Sequence, residues 1–285
     1  MDQFLATLRA SRPATYALTG ALGGLLGAVF GELFESDRLP LSKTTLIVTS
    51  AFWMAAIASV LAAVLYMGGE WYQRHELRPR RVAEALGFGA IAGLIAGGVA
   101  QAIYGMDFGT YDADSLMFKN YVTRTLCWGL MGALVGALLS RSIPNLGVKR
   151  GAVAGLAGGV LGCIGFLIAT DAMTDRLGRL VGMTVLGVAL GLAIHIAENL
   201  FREASIEVLW APNESTRVGL GPQPVTVGGG EDHIFQRGLP PHVSSITFAG
   251  GIIEHVETAT GKRTPLQDGS RLRIGGLNMV VHAAK

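Results

Sequence analysis

Two stretches decide the fold: Gly87-Phe-Gly-Ala-Ile-Ala-Gly-Leu-Ile-Ala-Gly-Gly98 and Gly151-Ala-Val-Ala-Gly-Leu-Ala-Gly-Gly-Val-Leu-Gly162. Neither carries a charge, and in both small residues recur at every fourth position. A spacing of four places them on one face of a helix. In lipid, helices gain little from apolar burial and associate through close packing, which small residues permit. These stretches therefore read as glycine-faced membrane helices.

Working outward, runs of about 20 mainly apolar residues, the length needed to cross a bilayer, recur along residues 14–200. They are Ala14–Phe34, Thr44–Met67, Val82–Tyr104, Phe118–Ser140, Lys149–Thr170 and Gly178–Leu200. The breaks between them are polar or contain proline, such as Pro40, Pro79 and Pro144. The chain has 285 residues, 50% hydrophobic and 15% charged, against about 25% charged in an ordinary soluble domain. The first run exceeds a signal-peptide core and is read as a retained helix.

Small-residue faces are expected in all six helices, through Gly23, Gly27 and Gly31, then Ala51, Ala55, Ser59 and Ala63, then Gly89, Gly93 and Gly97. The later ones are Gly132 and Gly136, Gly155 and Gly159, and Gly187 and Gly191. The likeness of the two opening stretches suggests that hairpins 3–4 and 5–6 are a duplicated unit; low complexity alone is the alternative. Cys127 and Cys163 lie inside apolar runs and read as small packing residues.

Basic residues fix the orientation, because cytoplasmic loops hold the excess of Lys and Arg. With six spans, Arg9 and Arg12, the cluster Arg74, Arg78, Arg80 and Arg81, and the group Arg141, Lys149 and Arg150 fall on one side. Asp107, Asp112 and Asp114 fall on the other. The expectation is a multi-pass protein of a bacterial inner membrane, with both termini cytoplasmic. Trp71 with Arg74, Arg78, Arg80 and Arg81 reads as an anchor for anionic lipid headgroups.

Charged residues within spans are functional candidates. Glu32, Glu84, Arg124, His195 and Glu198 all fall within about two turns of an expected helix end, Arg124 near the outer interface, with Glu198 set to pair with His195. No charge is expected near the bilayer midplane, which favours anchoring over transport.

From Ser205 the pattern changes to short alternating runs: Ile206–Trp210, Val225–Gly228, His242–Phe248, Ile252–Glu257, Arg271–Ile274 and Asn278–His282. Turn signals such as Gly228-Gly-Gly230, Gly250-Gly251 and Asp268-Gly269 separate them. This spacing reads as a β-sandwich or barrel. The expected division is residues 1–203 as a membrane bundle and residues 204–285 as a cytoplasmic all-β domain.

Val225-Thr-Val-Gly228, Pro241-His-Val-Ser-Ser245 and the ending Leu266-Gln-Asp-Gly-Ser-Arg-Leu-Arg-Ile-Gly275 carry a family resemblance. The segment resembles a forkhead-associated domain, and the whole chain is similar to bacterial membrane proteins that join such a domain to glycine-rich helices. The resemblance implies a sandwich that reads phosphothreonine peptides through loops at one end. Here Gly229 stands where the family has Arg, Leu239-Pro-Pro-His242 replaces the usual Ser, Arg and His, and Thr260-Gly-Lys-Arg-Thr replaces the Asn-Gly-Thr turn. Candidate partner-binding residues are Arg237, His242, Ser244, Ser245, Lys262 and Arg263.

No nucleophile elbow, P-loop or metal-ligand spacing occurs, so no enzyme activity, metal or cofactor is expected, and no nucleic acid. The expected role is a membrane scaffold or complex subunit whose β domain binds a protein partner without phosphothreonine readout. Other membrane or cytosolic proteins, anionic lipids and further copies of the chain are the expected partners. The alternative is a channel or transporter formed by the bundle and regulated by the β domain.

Overall fold

The computed structural model describes residues 11–34, 42–106, 113–211 and 214–283. Arg9, Pro40, Asp107 and Asp112, used above, lie outside the described residues. Six helices come first: α1 (Arg12–Gly31), α2 (Lys43–Tyr72), α3 (Pro79–Gly105), α4 (Ala113–Leu139), α5 (Val148–Ala172) and α6 (Asp175–Leu200). All six are long and apolar enough to cross a membrane. Pro13 and Pro79 sit in first turns, where their missing N–H costs nothing. The Ser42 side chain caps α2 by accepting from Thr45 N–H at 3.2 Å.

Each helix packs on its sequence neighbours and α1 closes on α6, giving a ring. Helices α2, α4 and α6 supply the large buried residues: Ile57, Leu61 and Leu65, then Met131 and Val135, then Met183, Leu186, Leu190 and Ile194. Helices α1, α3 and α5 lie outside them, with Leu26, Ile91 and Ile164 on the exposed surface.

The outer helices meet the inner ones through glycine, in one repeated antiparallel mesh. Gly89, Gly93 and Gly97 of α3 face Ala58, Met54 and Ser50 of α2. Gly151, Gly155 and Gly159 of α5 face Gly136, Gly132 and Trp128 of α4. Gly20 and Gly24 of α1 face Gly187 and Met183 of α6, with Tyr16 against Gly191. A Cβ at any of these glycines would come within 3.0 Å of the opposing helix's backbone or β carbon. The closest backbone approaches therefore join α2 to α3, α4 to α5 and α6 to α1.

Seven residues further along, a second small face meets the next inner helix. On α1 it is Gly23, Gly27 and Gly31 against Leu61 and Ile57. On α5 it is Gly158 and Gly162 against Leu190 and Leu186. On α3 the same register gives Ala96 and Ala100, both buried. No described glycine of α3 or α4 approaches the other helix, and this seam makes the sparsest contact in the ring. Five seams are closed by glycine and one is not.

After α6 the chain enters a two-sheet β domain. One sheet has the order β2 (Glu214–Leu220), β1 (Ala204–Ala211), β9 (Leu277–Ala283), β8 (Arg271–Ile274). The other has the order β4 (Ile234–Phe235), β3 (Val225–Gly228), β5 (Ser244–Ala249), β6 (Ile252–Glu257), β7 (Arg263–Leu266). All pairings are antiparallel except β3 with β4. Ile206, Val208, Met279 and Val281 from the first sheet share one core with Val225, Val227, Ile246 and Ile253 from the second. Strands β2, β4 and β7 were not expected from sequence.

Candidate functional site

The β domain sits on the helix ends where α2 turns into α3, α4 into α5 and α6 into β1. The deepest contact is a buried charge cluster. Arg12, at the start of α1, meets Glu198 of α6 through two guanidinium–carboxylate contacts of 2.5 Å, both side chains under 10% exposed. Arg202 donates to the same carboxylate at 3.2 Å. Arg12 also donates to the Arg217 carbonyl of β2 at 3.0 Å and lies over the Tyr16 and Tyr72 rings. One carboxylate thus joins α1, α6 and the domain linker, and Arg12 extends the joint into the first sheet. The expected pairing of Glu198 with His195 is not formed; His195 Nε2 accepts instead from the Asn199 amide at 2.8 Å.

The loop between α2 and α3 supplies the second contact. Arg74 pairs with Glu214 and lies 5.0 Å from the Trp210 ring centroid. Arg78 pairs with Glu231 and donates to the Gly230 carbonyl at 2.6 Å, and Arg81 reaches Glu231 at 3.3 Å. His75 lies 3.2 Å from the His233 carbonyl and edge-on to Phe235. Arg80 alone of this cluster points almost wholly to solvent, 91% exposed beside Glu84. Three of the four arginines read as a lipid anchor thus pair with the β domain, and Arg80 faces solvent.

The loop between α4 and α5 supplies the third. Asn145 adopts a left-handed conformation, φ 60°, tolerated by asparagine. Its amide donates to the Gly219 and Gln223 carbonyls at 3.3 and 3.2 Å, and its oxygen accepts from Gln223 N–H at 3.0 Å. A side chain at Gly221 would collide with it.

The candidate partner-binding residues cluster around one end of the five-stranded sheet. His242 is exposed, in left-handed backbone, held by the fully buried Asp232, which also accepts the His242 N–H at 2.7 Å. Arg237 pairs with Glu76 at 3.0 Å, across the domain boundary. Ser244 is buried on β5 and Ser245 half-buried beside it. Lys262 is exposed in the β6–β7 turn, and Arg263 reaches Glu254 at 3.4 Å. The β3–β4 loop at this end, Gly230 and Glu231, is the part gripped by Arg78 and Arg81. His233 accepts from Thr226 N–H at 3.2 Å through Nδ1, and burial, with His75 and His242 adding to it, pushes its pKa down. The Ser215 hydroxyl at 2.7 Å, with His282, holds the Glu207 carboxyl below its ordinary range.

At the opposite end of the bundle a cavity of about 600 Å³ opens among α2, α3, α4, α5 and α6. Its polar lining includes Ser50, Gln101, Asn120, Thr123 and Arg124. Trp53 and Trp128 meet edge to face in its wall, with Phe166 beyond. Arg124 lies at this end of the bundle, sharing the cavity with Gln101 and Tyr104 near the end of α3, Thr170 near the end of α5 and Arg179 near the start of α6. Helix α4 starts at Ala113, so Arg124 is the twelfth of its 27 residues. Cys127 and Cys163 are free and buried. Among the described residues no three His, Cys, Asp or Glu side chains converge as a metal site. No family model, curated protein or solved structure matches the chain.

Proposed function

We propose that this protein is a non-enzymatic interaction subunit of a bacterial inner membrane. In this reading the bundle anchors a cytoplasmic forkhead-associated-like sandwich that binds a protein partner without reading phosphothreonine. Both termini are cytoplasmic, following the basic loops. One observation carries the proposal: the β domain is clamped to the helix ends through Arg12, Arg74, Arg78, Arg81 and Asn145. Such a clamp presents the domain at a fixed attitude. It also occupies the β3–β4 loop, where the resemblance would put a phosphopeptide. His242 and Lys262 remain exposed for a partner, and Arg80 for anionic headgroups.

Site-specific photo-crosslinking in cells tests this. A crosslinker at Lys262 is expected to give one discrete adduct with another protein, and one at Glu231, gripped by the bundle, none. Only self-adducts at Lys262 would sink the proposal. Titration of the full chain with phosphothreonine peptides is expected to show no advantage over unphosphorylated ones.

The carrier reading is favoured by the cavity holding Arg124. Solute flux into vesicles reconstituted with the full chain, lost in Arg124→Gln, would support it over anchoring.

A further inference from the structure

Three observations meet at the one seam of the ring that glycine does not close. First, the cavity around Arg124 carries an unbalanced charge. Its other cation, Arg179, is neutralised by Glu32, with contacts of 2.8 and 3.2 Å. Arg124 has no carboxylate in ion-pair reach among the described residues and only the Phe166 ring at 5.8 Å. A cation in a cavity between apolar helices, with no carboxylate beside it, attracts an anion to balance it. Second, Asn120, Gln101 and Ser50 supply hydrogen-bonding groups around the same space, a suitable surround for an oxyanion.

Third, an apolar groove lies behind the cavity wall. Ala100 and Cys127 form that wall and also the wall of the groove, which has a volume of about 360 Å³ on the outside of the bundle. That groove is lined by Ala96, Val99, Leu126, Leu130, Leu156 and Val160, without a charged residue. Val99 and Leu126 are exposed along it. The groove exists because Ala96 and Ala100 stand where the other outer helices carry glycine, so α4 does not close on α3.

A charged pocket beside an apolar lateral groove matches a molecule with an anionic head and a hydrocarbon tail. We propose that the α3–α4 seam binds an anionic phospholipid, its phosphate on Arg124 and one acyl chain along the groove. Charge complementarity selects the anionic head, and the uncharged groove selects an attached chain over a free anion. The site lies at the end of the bundle remote from the β domain and is separate from the arginines of the α2–α3 loop.

The test uses the full chain in nonionic detergent, with binding followed by native mass spectrometry and thermal shift. The probes are phosphatidylglycerol, phosphatidylcholine and inorganic phosphate. Phosphatidylglycerol is expected to bind saturably, about tenfold or more tighter than phosphatidylcholine, as one charge-assisted contact allows. Arg124→Gln is expected to remove that preference and Arg124→Lys to keep most of it. Val99→Trp fills the groove without touching a polar group of the cavity, and is expected to lose both lipids while the protein stays folded. Arg80→Gln is expected to leave binding unchanged. The proposal is overturned if inorganic phosphate stabilises as strongly as phosphatidylglycerol. It is also overturned if phosphatidylglycerol does not saturate, or if its preference survives Val99→Trp.

Discussion

Glu198 shows how much rests on single side chains. Its carboxylate sits between Arg12 and Arg202, buried where α1, α6 and the first sheet meet. Removing one member of a buried ion cluster leaves the others desolvated and uncompensated, at a cost of about 3–5 kcal/mol. Glu198→Ala is therefore expected to lower thermal stability in detergent sharply, and Glu207→Ala, at a half-exposed pair, far less. His233 gives a pH dependence of known sign. Its pKa is lowered in the fold from the ordinary 6.5, chiefly by burial. As pH falls below that value the unfolded chain takes up the proton first, so the stability this ring contributes is complete at higher pH and lost on acidification. Melting temperature is expected to drop as pH falls through the ordinary histidine value of 6.5, and His233→Asn is expected to lessen the drop. Neither role was visible in sequence. Arg12 and Glu198 are 186 positions apart, and nothing local pairs them.

At the scale of elements, the fourfold spacing of small residues fixed the helix faces, and every face named from it meets another helix of this chain. Those faces are therefore spent within one copy and not left for a second. The contrast between glycines is testable. Gly155→Ala would drive a methyl into the Gly132 carbonyl, whereas Gly87 has nothing within 4 Å. The first substitution is expected to cost about 1–3 kcal/mol or more, the second to stay within about 1 kcal/mol of neutral, both read by thermal unfolding. The same spacing missed what alanine does on α3, because Gly and Ala count alike as small in a sequence pattern. Among strands, Val225–Gly228, Ile252–Glu257 and Arg271–Ile274 were readable from alternation and turn glycines. Strand β2, Glu-Ser-Thr-Arg-Val-Gly-Leu, was not, since polar and small residues dilute its apolar set. Strand β4 has two residues, too few to show any period.

For the whole molecule, the attachment of the β domain is the point most open to experiment. The pairing of the α2–α3 loop arginines was not legible in sequence because their acidic partners, Glu214 and Glu231, lie some 140–150 positions downstream in another domain. Exposed ion pairs contribute about 0–1 kcal/mol each, so the joint depends on their number. Reversing two of them, Arg78→Glu with Arg81→Glu, is expected to raise protease cleavage in the linker after Leu200 about tenfold, and Glu231→Arg to restore protection.

The alanine seam between α3 and α4 has a mechanical consequence. A ring closed by glycine at five joints and loosely packed at the sixth has one weakest line. A lateral pull on the helices would part them along that line first, since no close backbone contact has to break there. The five glycine joints, with their backbones in near contact, resist the same pull.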